Sequence, residues 1–356
     1  MARSVALVAP GPLDARTGGY VYNGRMLAEL TRLGWSVSAL ALDPSFPYPT
    51  PAALAHAAAV LRAMPDGSPV IIDSLALGAM PAVVSAEASR LRIVALVHLP
   101  LAAAVDLDAA TAARFRHDEG IALRAAALVV VTGRAALPML APYGIPDDRV
   151  MVIEPGADPP SRAAHASARQ VSDVVELVCI ATVKAGKGHE RLLTALAEVP
   201  HTHWHLTCAG SLTRDVPTVG RVRATIEQFH LEDRVTLAGD LGGDALETCY
   251  TQADVFVMAT RQETYGMAVA EALAHGLPVV ATRTSAIVDL VGDEAGILVP
   301  MDDDASLRDA LTRIIGDPGL RDRLAEGARR ARTRLPTWDD AGGAMSAALD
   351  RLAAHG

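Results

Sequence analysis

The chain has 356 residues, 51% of them hydrophobic, which is enough apolar material for the cores of two ordinary domains. Its net charge is −9 and the acidic excess falls after residue 170, so a nucleic acid partner is not expected. No apolar run is long enough to span a bilayer and no signal-peptide core opens the sequence, so we expect a cytoplasmic protein.

Residues 1–160 alternate short apolar strands with helical segments, which is the pattern of a parallel α/β sheet. The strands are predicted at 4–9, 35–41, 69–73, 92–97, 128–132 and 150–153. Gly18 and Gly19 follow the first strand and His98 follows the fourth, and open α/β sheets bind ligands at the carboxyl ends of strands. An ordinary turn explains the glycine pair equally well, and a hydrogen-bonded turn is the alternative for His98. The glycine spacing is not that of a dinucleotide fingerprint, which argues against a dehydrogenase.

A stretch without apolar periodicity, residues 161–172, is predicted to link this domain to a second α/β domain at 173–335. The second set of strands is predicted at 175–181, 203–209, 234–238, 254–259, after Pro278, and at 297–300. A last helix is predicted from about residue 339 to 354. The expected fold is therefore two Rossmann-like, doubly wound parallel sheets in series.

Lysine is confined to one place in the sequence. Of the 32 basic residues only Lys184 and Lys187 are lysines, and both lie in VKAGKGHE, residues 183–190, which we call the lysine loop. Lysine is a compact point charge that phosphate-binding loops often use, whereas arginine presents a flat fork. A phosphate-binding role is favoured over chance clustering.

The stretch 253–282, ADVFVMATRQETYGMAVAEALAHGLPVVAT, predicts a strand, a polar loop, a helix from about 265 to 275, and a second strand. Glu263 lies just before the helix and Glu271 about two turns into it. Tyr265, Gly266 and Met267 open the helix, where unpaired N–H groups and the helix dipole favour an anion. Carboxylates beside an anion-binding helix end suit a ligand with both hydroxyls and phosphates, such as a nucleotide sugar.

The string ETYGMAVAEALAHGLPVVAT, with its Glu-x7-Glu spacing, and the lysine loop resemble the retaining GT-B glycosyltransferases of glycosyltransferase family 4, the glycosyl transferases group 1. The resemblance covers nearly the whole chain. It implies two domains facing across a cleft and a metal-independent enzyme without a cofactor. Such an enzyme moves a hexose from a UDP-, GDP- or ADP-linked sugar to a hydroxyl of a glycan, lipid or small metabolite, with retention of configuration.

The resemblance also implies roles for single residues. Glu263, His98 and Lys187 are the implied catalytic residues, with Glu263 contacting sugar hydroxyls. Glu271 is expected to hold the ribose. The implied donor-binding set is Gly18, Gly19, Lys184, Gly188, Gly210, Leu241, Thr264, Tyr265, Gly266, Met267 and Glu271. The turn at 154–158 is expected to serve the crossing between domains, and Trp338 to open a closing segment, 336–356, that returns the last helix to the first domain.

One position departs from the family pattern. The family's diphosphate loop carries an arginine five residues before Lys-Gly, and Thr182 stands there in this chain. Thr182 carries no charge, so we expect Lys184 to replace the missing arginine.

No metal site is expected. Asp106 and Asp108 resemble the metal-binding Asp-x-Asp of a different glycosyltransferase fold, but the lysine loop already supplies positive charge to the phosphates. His201, His203 and His205 alternate along a predicted strand, but they lack cysteine or carboxylate partners at ligand spacing. The three cysteines lie far apart and are expected to be free thiols.

The sequence does not identify the acceptor or the oligomeric state. The first domain is expected to hold the acceptor around Gly18, Gly19 and the segments 73–77 and 98–117. Residues 1–170 have no net charge and no basic amphipathic helix, which leaves only peripheral membrane contact open. Two alternative functions stay open: a non-hydrolysing sugar-nucleotide epimerase, and a catalytically idle nucleotide-sugar-binding protein, which Thr182 favours.

Overall fold

The computed structural model describes residues 3–105, 107–160 and 173–354. The described residues form two compact units. The first unit falls within Met1–Ala15, Gly19–Gly156 and Pro336–Gly356, and the second within Arg16–Gly18 and Ala157–Leu335. The segment 161–172, predicted as the linker, lies outside the described residues, as does Asp106.

The first unit contains a six-stranded parallel sheet with the strand order β2-β1-β3-β4-β5-β6. Its strands are β1 (Ser4–Pro10), β2 (Ser36–Leu42), β3 (Pro69–Asp73), β4 (Arg92–Val97), β5 (Leu128–Val131) and β6 (Val150–Val152). Its helices up to residue 156 are α1 (Gly18–Arg32), α2 (Pro51–Arg62), α3 (Ser74–Leu77), α4 (Pro81–Glu87), α5 (Ala109–Ala125) and α6 (Leu137–Leu140). In β4 every residue from Ile93 to Val97 is fully buried, because helices cover both faces of a parallel sheet.

The second unit contains another six-stranded parallel sheet, with the order β12-β11-β10-β7-β8-β9. Its strands are β7 (Val175–Ile180), β8 (Trp204–Ala209), β9 (Val235–Gly239), β10 (Val255–Met258), β11 (Val279–Thr282) and β12 (Gly296–Val299). Its helices are α7 (His189–Ala197), α8 (Val216–Gln228), α9 (Asp244–Gln252), α10 (Met267–Ala274), α11 (Ser285–Val291), α12 (Asp304–Gly316) and α13 (Pro318–Arg332). β7 and β10 are neighbours, so the loops that follow them leave the sheet at the same edge.

The last helix, α14 (Trp338–Ala354), belongs to the first unit. Trp35 donates from Nε1 to Ser346 Oγ at 2.9 Å, and the ring of Trp338 lies 5.8 Å from that of Tyr22. A Cβ on Gly156 would lie 2.2 Å from the Trp338 nitrogen, so the backbone at 156 and the start of α14 pack directly together. Only a residue without a side chain permits this approach.

The predicted pair of parallel α/β sheets is confirmed. One boundary was wrong: the helix predicted from Tyr265 begins at Met267, because Gly266 takes the left-handed conformation with φ of +95°. The short helices α3 and α11 were not predicted, since four and seven residues show too little periodicity. None of the helices in the described ranges is both long and apolar enough to cross a membrane.

Candidate functional site

Two loops meet at the carboxyl edge of the second sheet. The lysine loop follows β7, and residues 259–266 follow β10. The Gly186 carbonyl accepts hydrogen bonds from Arg261 N at 2.9 Å and from Thr260 Oγ1 at 3.2 Å. These bonds fix the position of one loop against the other. Lys187 and Glu263, which are 76 residues apart in sequence, can therefore belong to a single site.

Gly188 allows the two loops to touch. Its φ is +70°, and a Cβ at this position would lie 2.0 Å from the Ala259 carbonyl oxygen. Gly188 directly precedes α7, so its left-handed conformation sets where that helix starts. Both the left-handed backbone and the lack of space require glycine here.

Lys187 and Glu263 form an ion pair between Nζ and Oε1. Their side chains are 20% and 12% exposed, so the pair is sheltered but open on one side. Thr260 Oγ1 lies 3.2 Å from the same Glu263 oxygen, and the Thr260 carbonyl accepts from Thr282 Oγ1. Thr260 and Thr282 are fully buried and were not predicted as site residues. Thr282 fixes the backbone of Thr260, which places the Thr260 hydroxyl beside Glu263.

Lys184 and Thr182 lie nearby in the lysine loop. Although Lys184 is exposed, partial desolvation lowers the pKa of its amino group, and repulsion by Lys187 lowers it further. The Glu263 charge acts in the opposite direction, so Lys184 senses both members of the ion pair. No described carboxylate lies within ion-pair distance of Lys184. Thr182, half-buried, offers no charge.

Gly210 and Leu241 mark two more loops at this edge. Gly210 follows β8 with φ of +149°, and a Cβ there would lie 2.1 Å from the Ala181 carbonyl oxygen. Gly210 therefore lets the turn after β8 pack against the start of the loop after β7. Leu241 lies between β9 and α9, in the loop that also contains Gly243. Thr264 is half-buried in the loop before α10.

The start of α10 points its first amides out of the helix. Gly266 precedes the helix, and no side chain caps it. The Gly266 carbonyl accepts from the amides of Val269 and Ala270, so the amides before them have no intrahelical acceptor. An uncapped helix start of this kind favours an anion.

Glu271 is held separately from Glu263. The Tyr250 hydroxyl on α9 donates to Glu271 Oε2 at 2.7 Å. Burial, followed by the Glu271 charge, raises the pKa of Tyr250 far above its usual range, so the phenol keeps its proton and remains a donor. The Tyr250 ring stacks on His275 at 4.8 Å, and His275 in turn lies 3.1 Å from a Glu247 oxygen. Tyr250 was not predicted.

His98, which follows β4, belongs to the first unit. Its Nε2 lies 3.1 Å from Asn23 Oδ1, and Asn23 Nδ2 donates to Asp73 Oδ2 at 2.9 Å. Because the buried Asp73 carboxylate only accepts, it orients the Asn23 amide so that Oδ1 faces the imidazole. His98 must then donate from Nε2, which leaves Nδ1 as an acceptor. Burial lowers the pKa of His98, with Asp73 partly opposing, so the ring is neutral near pH 7.

Gly19 lies directly against this histidine. A Cβ on Gly19 would lie 3.0 Å from His98 Cδ2. Gly18 is the first residue of α1 and groups with the second unit. The glycine pair thus lies at a helix start and not in an ordinary turn.

The patterns that suggested a metal have structural explanations. Asp108 caps α5 by accepting from Thr111 N at 2.9 Å. His205 bonds to Glu176 and Thr236 on the neighbouring strands. Within the described ranges no three metal-ligating side chains are arranged to hold an ion.

Solved structures of low sequence identity define the fold as GT-B. Sucrose-phosphate synthase from Thermosynechococcus elongatus superposes with a TM-score of 0.82 at 21% identity, covering 99% of this chain and 100% of that one. Anabaena HepE, solved in complex with UDP-glucose, gives a TM-score of 0.78 at 18% identity over 97% and 99% of the two chains.

The sequence comparison identifies the family of the second unit. Residues 162–331 match the model of the family described as glycosyl transferases group 1, and this part of the chain belongs to it. A D-inositol 3-phosphate glycosyltransferase of Xylanimonas cellulosilytica is 31% identical over 241 residues, 64% of this chain and 57% of that protein. An alpha-D-kanosaminyltransferase of Streptomyces kanamyceticus is 28% identical over 239 residues, 65% of this chain and 60% of that protein. The matches thus span little more than half the length of these relatives.

Proposed function

We propose that this protein is a retaining, metal-independent glycosyltransferase that moves a hexose from a nucleotide diphosphate sugar to a hydroxyl acceptor. One observation carries the proposal: a sheltered Lys187–Glu263 pair lies at the same sheet edge as the uncapped start of α10. A cation and free amides suit a diphosphate, and a fixed carboxylate suits sugar hydroxyls. The group 1 family match and the relatives' names support it.

Each part of the donor would contact different polar groups at this edge. Lys187 would turn toward the diphosphate, and Glu263 would then accept from sugar hydroxyls in place of the lysine. Glu271, held by Tyr250, would accept from the ribose hydroxyls. Lys184 would supply the charge that Thr182 lacks. HepE was solved with UDP-glucose, which supports a donor of this class without fixing its base or hexose.

The transfer step requires no nucleophile from the protein. The acceptor oxygen bonds to the anomeric carbon on the face from which the diphosphate leaves, and the bond between that carbon and the phosphate oxygen breaks. The acceptor proton passes to the leaving phosphate, so the products are a glycoside and a nucleoside diphosphate. Lys187, Lys184 and the α10 amides stabilise the charge that develops on the diphosphate. A double displacement through Glu263 is the rival mechanism.

His98 would act as a neutral hydrogen-bonding group and not as a general base. Its Nε2 proton is committed to Asn23, and its low pKa leaves Nδ1 unprotonated near pH 7. A ring in this state can accept from a sugar hydroxyl, or orient one, without removing a proton.

A panel of UDP-, GDP- and ADP-sugars tests the proposal. One class of donor should raise the melting temperature, since a ligand at 100 times its Kd stabilises by about 2.7 kcal/mol. Incubation with hydroxyl acceptors should then give a product of the donor's own anomeric configuration, with a rate that chelators leave unchanged. Conversion of the donor without any acceptor would indicate the epimerase instead. Stabilisation without any turnover would indicate an idle binding protein.

A further inference from the structure

One face of α1 encloses the imidazole of His98. Gly19, Tyr22 and Asn23 are three and four residues apart, so they lie on the same side of the helix. Gly19 leaves room for His98 Cδ2, and Asn23 Oδ1 lies 3.1 Å from Nε2. The Tyr22 ring meets the imidazole edge to face, with the ring centres 5.4 Å apart and 76° between the planes. The position of this helix face therefore determines the direction in which His98 Nδ1 points.

The Tyr22 hydroxyl is tied to the segment by which the chain leaves the first unit. Tyr22 is fully buried, and its hydroxyl donates to the Ile153 carbonyl at 3.0 Å. Burial raises the pKa of Tyr22 far above its usual range, so the phenol keeps its proton and remains a donor. Ile153 directly follows β6, and the first unit ends shortly after it at Gly156, beyond which the chain continues into the second unit.

The same ring also contacts the place where the chain returns to the first unit. The chain re-enters this unit at Pro336, and Trp338 is the first residue of α14. The ring centres of Tyr22 and Trp338 are 5.8 Å apart. Because the backbone at Gly156 packs directly on Trp338, the outgoing and returning connections lie side by side. Tyr22 therefore contacts both connections as well as His98.

Other contacts hold α14 on the first unit at a distance from the imidazole. A Cβ on Gly342 would lie 2.5 Å from the Glu29 Cβ, so α14 packs closely on α1. Trp35 Nε1 donates to Ser346 Oγ at 2.9 Å. Ser346 lies eight residues beyond Trp338, which is about 12 Å along the helix. The bond between Trp35 and Ser346 is therefore a matched control for the contact between Tyr22 and Trp338.

We propose that Tyr22 is a positioning residue for His98, which ties the direction of the imidazole to the path of the two connections that meet at Gly156 and Trp338. A fully buried ring packed on both sides cannot tilt without moving its neighbours. For catalysis the inference rests on the proposed function, in which His98 Nδ1 accepts from a sugar hydroxyl. A changed path of the connections would then turn Nδ1 away from that hydroxyl and lower kcat, while the groups that bind the diphosphate and ribose stay in place.

NMR of the full chain without any ligand tests the coupling directly. The His98 Cε1–H signal is identified by its loss in His98→Gln. Trp338→Phe keeps an aromatic ring but changes its contact with Tyr22, so it should shift the His98 signal. Ser346→Ala removes the other anchor of α14 and should leave that signal in place. Tyr22→Leu lets water reach the imidazole, so the midpoint of the His98 titration should rise toward about 6.5, the usual histidine value.

A double-mutant cycle tests whether the effect passes through Tyr22. In the Tyr22→Leu background, Trp338→Phe should cause no further shift of the His98 signal, because the ring that connects the two residues is gone. Equal shifts in the two backgrounds would show that Trp338 acts on His98 by another route and would overturn the proposal. A His98 signal that responds equally to Trp338→Phe and Ser346→Ala would overturn it as well.

Kinetics with the stabilising donor test the consequence for catalysis. Tyr22→Phe removes only the bond to Ile153, and it should lower kcat about tenfold while the donor KM changes by less than about twofold. Ser346→Ala should lower the melting temperature and leave kcat unchanged. Equal values of kcat in Tyr22→Phe and Ser346→Ala would overturn the positioning role. If no nucleotide sugar is turned over, the proposed function fails, while a shift of the His98 signal that depends on Tyr22 would still establish the coupling.

Discussion

The carboxyl edges of the two sheets hold their polar groups in different ways. In the second unit the edge is charged, and Lys187 neutralises Glu263 directly. In the first unit His98 is neutral, and its Nε2 lies 3.1 Å from the Asn23 amide oxygen and 3.6 Å from the Asp73 carboxylate. The ion pair at the second edge can exchange one ionic partner for another, whereas the hydrogen bonds at the first edge keep a single geometry. Four predictions test this contrast.

The largest effect is expected at the ion pair. Lys187→Gln removes the cation from the diphosphate and leaves Glu263 without its partner. Because hydrogen bonds to charged groups are worth about 1.5–3 kcal/mol each, kcat/KM for the donor should fall by roughly a hundredfold or more. Lys184→Gln is the matched variant in the same loop and should cost about tenfold. Donor kinetics that are unchanged in Lys184→Gln would disprove its compensation for Thr182.

The second prediction compares the loss of stability caused by a glycine substitution at each edge. Gly188→Ala forces a Cβ against the Ala259 carbonyl in a left-handed conformation and should destabilise the protein by about 2–4 kcal/mol. Gly19→Ala meets only the side chain of His98, at 3.0 Å, and should cost about 1 kcal/mol. Urea unfolding of both variants measures the difference. Equal losses of stability would mean that the lysine loop can shift to accommodate a Cβ at position 188 at little energetic cost.

A pair of tyrosine variants compares one carboxylate in each unit. Tyr250→Phe removes a donor from Glu271 and should raise the donor KM about tenfold with little change in kcat. Tyr143→Phe removes a donor from the buried Glu119 in the first unit, at 2.5 Å, and should lower stability while leaving the donor KM unchanged. Steady-state kinetics and thermal unfolding together distinguish the two. The assignment of Glu271 to the ribose would be wrong if Tyr250→Phe left the donor KM unchanged, or if Tyr143→Phe changed it.

The smallest effect concerns pH. Burial lowers the pKa of His98, so the unfolded state takes up the proton first as the pH falls. The free energy of unfolding should therefore decrease as the pH falls from 7 through about 6.5, the usual histidine pKa. Between pH 7 and 5 the free energy of unfolding of His98→Gln should decrease less than that of the unsubstituted protein. The control is His117→Gln, which replaces an exposed histidine on α5. Parallel curves for all three proteins would show that His98 is not held neutral.

The charged edge could be predicted in outline from the sequence because its residues are close together along the chain. Lys187 and Gly188 are adjacent, and Glu263 to Glu271 form one string. Tyr250 and Thr282 were missed because their contacts depend on how α9 packs beside α10 and on the pairing of β10 with β11. Such contacts come from tertiary packing, which leaves no local spacing signal.

The neutral edge was harder to predict. His98 was predicted from its position after a strand. Asn23 lies 75 residues earlier in α1, and nothing in the local sequence distinguishes it from other polar residues of a helix. Its role is visible only once β1, β3 and β4 are placed side by side. The alternation of strands and helices sufficed for both sheets because buried parallel strands are continuous apolar runs.

The contact between Gly156 and Trp338 has a consequence for folding during synthesis. Apart from Arg16–Gly18, the second unit is one uninterrupted run of chain, whereas the first needs its opening 156 residues and its final helix together. During synthesis Trp35 leaves the ribosome 311 residues before its partner Ser346, and Tyr22 likewise leaves long before Trp338. The first unit is therefore completed only after the whole second unit has been synthesised, and removal of α14 would damage the fold of residues 19–156.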